Sequence, residues 1–296
     1  IGGDYAAASF DNISVSDAED AAFEISGTTT SSFTDISASD SPYGILVGSG
    51  AGGSADFNNV NIDGATNSGV YYIKDLGGSL SGNIANTAGS ALKFGPSTSE
   101  DISWTGMNLA SNDVGVENGG TGVLTFTDST FDNGKDVSIP GAGTVNFVEG
   151  TVDTATVEVT GAGVFNRMRA LNLNVLADGN PVEGTNVALR DGDGVKLGSA
   201  VTDSSGDATG MKFTTEMVDS SGLSVMNLAG YEAVTVAKVG NYFYNNSTDN
   251  SGDFRYAFDN LSLTDTSGNS HTINLVDKVD IRVCYGSTSS TNTMLA

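Results

Sequence analysis

Large apolar residues recur through the first half of the chain at a near-constant interval, each followed by two mostly small or polar positions and a short half-apolar stretch. Seven copies of this phrase run between Phe10 and Val152, opening at Phe10, Phe33, Phe57, Leu80, Trp104, Phe126 and Phe147. Successive openings lie 23, 24, 23, 24, 22 and 21 residues apart, a regularity that marks a stacked-repeat architecture. Each repeat carries a second alternating run further on: Phe23–Ile25, Ile45–Val47, Val70–Ile73, Leu92–Phe94, Val114–Val116, Val137–Ile139 and Val157–Val159. Gly, Ser, Asn and Asp fill the intervals, so both runs predict short half-buried strands between turns. No repeat leaves room for a helix.

A coil of roughly 22 residues built only of short strands and turns resembles the parallel β-helix repeat of secreted polysaccharide-acting (pectate-lyase-like) and surface proteins. The resemblance covers residues 5 to 165. It implies coils paired at about 4.8 Å, a rod of roughly 35 Å for seven of them, and equivalent positions stacked. The seven opening residues then form one internal ladder, the stacking that stabilises in-register parallel strands. The third position of the phrase holds Asn12, Asp35, Asn59, Gly82, Gly106, Asp128 and Glu149, which suits a turn whose polar side chains bond local backbone.

After Asn166 the pattern changes. Ala170–Leu176 alternates cleanly, Asp178–Gly184 supplies turn chemistry, and strand candidates follow at Val187–Leu189, Val195–Thr202, Met211–Phe213, Tyr231–Ala237, Tyr242–Tyr244, Phe254–Phe258, Leu261–Leu263, Thr272–Val276 and Val279–Val283. These predict one antiparallel β-sandwich of about 115 residues. The segments Asp178–Leu189 and Thr202–Ala208 resemble carboxypeptidase-regulatory-like and Ig-like modules, which implies a spacer or adhesion unit. The expected organisation is all-β: a right-handed parallel β-helix over 1–165, its hand taken from the general preference of parallel crossovers, an Ig-like β-sandwich over 166–286, and a linker or tail over 287–296.

Charge sharpens the picture. The chain holds 36 acidic against 12 basic residues. Residues 1–165 carry 21 acids against Lys74, Lys93 and Lys135, a net −18. That field repels nucleic acid and anionic membrane, which require the opposite sign. It attracts cations and suits a saline or calcium-containing exterior where salt screens self-repulsion. No apolar run reaches the ~18 residues of a membrane span. The start at Ile1, without Met or a signal pattern, reads as a processed or truncated product.

Candidate chemistry is sparse. Cys284, the single cysteine, alternates as a buried strand residue does in Ile281–Tyr285 and reads as a core thiol, with an intermolecular pair as the other reading. Sequons occur at Asn12, Asn245, Asn246 and Asn260 and are candidate glycosylation sites. Asp191 and Asp193 put two carboxylates on one tight loop and are the candidate Ca²⁺ ligands, against an ordinary Asp-Gly hairpin turn; Asp203 and Asp207 bracket a second loop. An enzyme of this architecture uses Arg or Lys beside Ca²⁺, or paired carboxylates. Residues 1–165 contain neither Arg nor His, Asp17, Glu19 and Asp20 read as a solvated turn, and the single histidine, His271, opens a strand of the second domain. No catalytic residue and no cofactor other than Ca²⁺ is expected.

The expected function is an extracellular structural surface protein, a homo-oligomer or polymer forming a filament, sheath or surface-layer-type assembly, because a solenoid ends in backbone groups that need a cap. The alternative is a carbohydrate-binding adhesin or a polysaccharide lyase or hydrolase. It predicts an exposed groove lined by carboxylates and by an aromatic such as Tyr71 or Tyr72, which adjoin in one strand so that one must face outward.

Overall fold

The computed structural model describes residues 5–177, 180–181, 183–184, 186–190, 195–225, 232–236, 261–265 and 270–273. These are all-β apart from one 3-10 turn, Thr154–Thr156. The chain divides into two compact units, Ile1–Met168 with Thr215–Val225, and Arg169–Thr214 with Met226–Ala296.

The first unit is a parallel β-solenoid of about seven turns. Its second apolar runs all join one seven-stranded parallel sheet, Ala21–Ile25, Tyr43–Val47, Ser68–Tyr72, Ser90–Phe94, Val114–Asn118, Lys135–Ile139 and Val157–Val159. Phe23, Ile45, Val70, Leu92, Val116, Val137 and Val157 stand in register across it. The opening residues of the phrase divide between two sheets. Phe10, Phe33, Phe57 and Leu80 are in register in one, and Trp104, Phe126 and Phe147 in another. The expected ladder of seven therefore exists as segments of four and three.

Within the first segment the rings of Phe10, Phe33 and Phe57 stack at 4.9 and 4.8 Å, the coil spacing itself. In the second, Trp104 and Phe126 meet edge to face at 5.9 Å, and Phe131 wedges between Phe126 and Phe147 at 5.2 and 5.0 Å. Phe33, Phe57, Leu80, Trp104, Phe126 and Phe147 are all buried. Each such side chain contributes about 1.5–3 kcal/mol by leaving water, which offsets the ordering of a coil that has few other large groups.

The fourth phrase is one residue out of step. A β-bulge lies between Phe57 and Val60, and from there Ile62 pairs with Ile84 rather than Ala85. The extra residue of a bulge is absorbed locally. Beyond it, Ile84, Leu109 and Phe131 stay in line, all buried.

The third position of the phrase is a left-handed corner in nearly every coil. Asn12, Asp35, Asn59, Asp128 and Glu149 have φ between 49° and 59°, and Gly82 and Gly106 have φ of 133° and 72°. This is the region where Asn, Asp and Gly are least strained. A second set of corners follows the short strand, at Asp17, Asp40, Gly64, Asn86 and Ser111.

Val164–Met168 pair in parallel with Thr144–Val148, setting Arg167 opposite Phe147 while Phe165 enters the core. Arg167 Nη1 bonds Glu216 Oε2 at 3.2 Å, and the Thr215 hydroxyl donates to the Arg167 carbonyl at 3.1 Å. Val218 joins the same core.

In the second unit the described strands are antiparallel. Asn186–Arg190 lies between Lys196–Val201 and Glu232–Val236. Leu171–Val175 pair with Leu261–Asp265, which pairs in turn with Ser270–Ile273. The strand candidates Tyr242–Tyr244, Phe254–Phe258 and Val279–Val283 and the tail over 287–296 lie outside the described residues.

Candidate functional sites on the solenoid

Two places on the first unit present groups without a partner among the described residues. The first is the outer edge of the first coil. Among the described residues, Tyr5–Asp11, Ser14–Ser16 and Ala21–Ile25 each have a parallel partner on one side only. The core layer behind them is half-covered. Phe10, Ile13 and Phe23 are partly buried, whereas Phe33, Ile36 and Ile45 one coil on are 2%, 1% and 0% exposed. Unpaired strand edges backed by apolar side chains are the chemistry of a docking edge.

The second is a groove of about 430 Å³ on the outer face of the seven-stranded sheet, lined by Tyr43, Thr66, Asn67, Tyr71, Lys93 and neighbouring small residues. Strand alternation decides which tyrosine reaches it. Tyr72 points inward and stacks on Phe94 at 5.0 Å; its burial pushes the phenol well above its ordinary range. Tyr71 therefore faces out, half-exposed, with its ring 5.9 Å from that of Tyr43 on the preceding coil. Lys93, opposite Tyr71 on the next coil, holds its ammonium 5.7 Å from the Tyr71 ring centre. The same ammonium lies 2.9 Å from Glu117 Oε1, and the Ser90 hydroxyl donates to Glu117 Oε2 at 2.6 Å. A lysine and a glutamate cancel, so the floor of the groove is close to neutral in an otherwise acidic unit.

The walls are the turns leading into successive strands. They approach closely because Gly89 has no side chain: a Cβ there would fall 2.0 Å from the Asn67 carbonyl oxygen.

Asn12 is an exposed left-handed corner. Asp17 is a corner as well, and the Asp20 carbonyl accepts from the Tyr43 amide at 3.0 Å. Asp203 accepts from the Ser205 and Asp207 amides at 2.8 and 3.0 Å, closing a local turn, and Asp207 accepts from the Asn174 side chain of a distant strand at 2.7 Å. His271 pairs with Leu263 in a strand. Lys74 is exposed, and Lys135 is paired with Glu158. Asp191, Asp193, Asn245, Asn246, Asn260 and Cys284 lie outside the described residues. Among the described residues no three His, Cys, Asp or Glu side chains come together as a metal site, and no helix is long and apolar enough to cross a membrane.

Sequence reasoning missed a polar network inside the solenoid. Asn112, buried, accepts from the Thr87 amide at 2.9 Å and donates to the Ile84 carbonyl at 3.0 Å and to Asn133 Oδ1 at 2.8 Å. Asn133 in turn donates to the Leu109 carbonyl at 3.0 Å and to Asp136 Oδ1 at 3.1 Å. Asp136, also buried, accepts from the Asp153 amide at 2.8 Å. With the Asn133 amide, which also donates to Asp136 Oδ1 at 3.0 Å, the network satisfies strand and turn backbone in four successive coils, as buried polar groups require. Its only sequence signal is an Asn shortly after the short strand of two neighbouring coils.

No family model matches the chain, and neither a curated protein nor a solved structure matches it.

Proposed function

We propose that this chain is an extracellular structural surface protein without catalytic activity, whose solenoid packs through its first coil into a filament, sheath or surface-layer-type assembly. The observation that carries the reading is the open edge at Tyr5–Asp11, Ser14–Ser16 and Ala21–Ile25, with Phe10, Ile13 and Phe23 half-covered behind it. A further layer on that edge would pair the strands and complete the burial of these side chains. Contacts of one surface with a different one propagate without closing, which is how filaments and arrays grow.

The acidic surface supports the same setting, because an exterior rich in salt or calcium screens its self-repulsion. In this reading the second unit is an Ig-like β-sandwich serving as spacer, the solenoid is right-handed, and Asp191 and Asp193 take Ca²⁺, which stabilises the second unit. Electron microscopy of the native protein at high concentration, with and without millimolar Ca²⁺, tests the proposal. Ordered filaments, tubes or sheets are expected. Monodisperse particles under both conditions would sink it.

A further inference from the structure

Granted the assembly proposed for the first-coil edge, we infer that its occupant is the opposite end of a second copy, the edge strand Gly222–Val225. The direction of that strand follows from its neighbours. Arg167 meets Glu216, the Gly210 amide donates to the Asn172 side chain and the Asn174 side chain donates to Asp207, so Asp207–Asp219 runs antiparallel to Val164–Ala177. Gly222–Val225 is in turn antiparallel to residues 216–219. Residues 164–168 run parallel to the coil before them, and two reversals restore that direction. Gly222–Val225 therefore lies as one more parallel strand of the wall would, with no strand beyond it among the described residues.

Its core-facing side is apolar and bare. Ile102, Leu124, Val145 and Phe165 form one buried row across successive strands. Val218, buried in the same core, stands opposite Leu223, so both point to the core side. Yet Leu223 is 53% and Val225 66% exposed. Hydrophobics that pack on this core while only partly buried include Phe10, Ile13, Ala22 and Phe23 in the first coil and Val157 and Val159 in the last. Unfinished core thus lies at both ends of the solenoid.

Each end supplies what the other lacks. Tyr5–Asp11 is paired on one side, and so is Gly222–Val225; setting the first strand of one copy against the last of another continues a parallel wall. Phe10 then meets Leu223 and Val225, and two open edges close together. Like ends fit less well. Residues 1–25 hold six acidic residues and no base, a local field that drives two first coils apart, whereas residues 144–168 and 215–225 hold five acids and Arg167. Unlike contact of this kind repeats from copy to copy without closing.

The test uses the full chain, in the salt and Ca²⁺ at which the wild type assembles, with Leu223→Glu at one end and Phe10→Glu at the other, followed by electron microscopy and sedimentation. Leu223 faces solvent in the free protein, so its replacement leaves the melting temperature within a few degrees of wild type. Ala8→Glu, on the same face of the first strand as Phe10, stands in should Phe10→Glu fail to fold. Each variant alone is expected to stay monomeric at concentrations about tenfold above the wild-type onset. An equal mixture of the two is expected to form one-to-one dimers and nothing longer, because one intact pair of ends remains. Polymers of Leu223→Glu, or a mixture that stays monomeric, would overturn the inference while wild-type polymers left assembly standing. A wild type that stops at closed dimers or stays monodisperse removes the assembly proposal and this inference with it.

Discussion

The corner residues show what one φ angle asks of a sequence. Asp128 is exposed, has a φ of 49° and gives its amide to the Val148 carbonyl at 3.0 Å. A β-branched residue cannot sit there without strain, at a cost of about 1–2 kcal/mol, whereas glycine can. Asp128→Val is therefore expected to lower the unfolding free energy by about that amount, and Asp128→Gly to change it by only a few tenths. Urea titration of both variants checks this, and equal stabilities would contradict the backbone account. The sequence already displayed a turn at this position, since Asn, Asp or Gly fills six of its seven occurrences. The left-handed Glu149 and Ser111 were illegible because neither residue type favours that region. They are held there by pairing with the next coil, where Glu149 N reaches Met168 O and Ser111 N reaches Asp132 O.

Strands and sheets were legible as far as their apolar period reached. The seven second runs became one sheet as the spacing predicts, while the opening runs split between two sheets and slipped by one residue at a bulge. A bulge inserts a residue without changing the composition on either side, so a pattern read by eye passes over it. A further feature was hidden by abundance. Gly44, Gly69, Ala91 and Gly115 fall in line across the seven-stranded sheet, but with 39 glycines in the chain a row of small residues carries little signal. In the folded unit the row makes room for the opposite wall: a Cβ on Gly69 would lie 2.4 Å from Ile84 Cγ2 and 2.6 Å from the Ala91 carbonyl oxygen. Gly69→Ala should destabilise the solenoid by about 1–3 kcal/mol through overpacking. Gly52→Ala, whose Cβ would meet nothing nearer than 3.5 Å, should leave the melting temperature within experimental error. Thermal unfolding of the pair decides the matter, and equal stability of the two would show that the row is incidental.

At the scale of the molecule, the net −18 of residues 1–165 is a standing load on the folded state, because like charges gathered in a compact unit repel. Adding NaCl from low salt to about 1 M shortens the screening length to about 3 Å, and the melting temperature should rise over that range. A flat or falling curve would mean that acidic groups are already compensated, for instance by bound cations. The solenoid architecture was readable from the first half of the chain because its period repeats, whereas the second unit has no period and a resemblance of about 40 residues. The corners also give the solenoid a direction. In both corner rows amides donate to carbonyls of the next coil: Asn12 to Thr34, Asp35 to Asn58 and Asp128 to Val148 in one, Asp17 to Ser39, Asp40 to Asp63 and Asn86 to Ala110 in the other. The solenoid is thus directional, like an arrow rather than a rod with two equal tips. At its first coil the equivalent carbonyls, those of Asp11 and Ser16, point outward as acceptors. Two such tips facing one another would set oxygen against oxygen at both corners. Whatever covers this end, preceding chain or another subunit, must bring N–H groups to those two places.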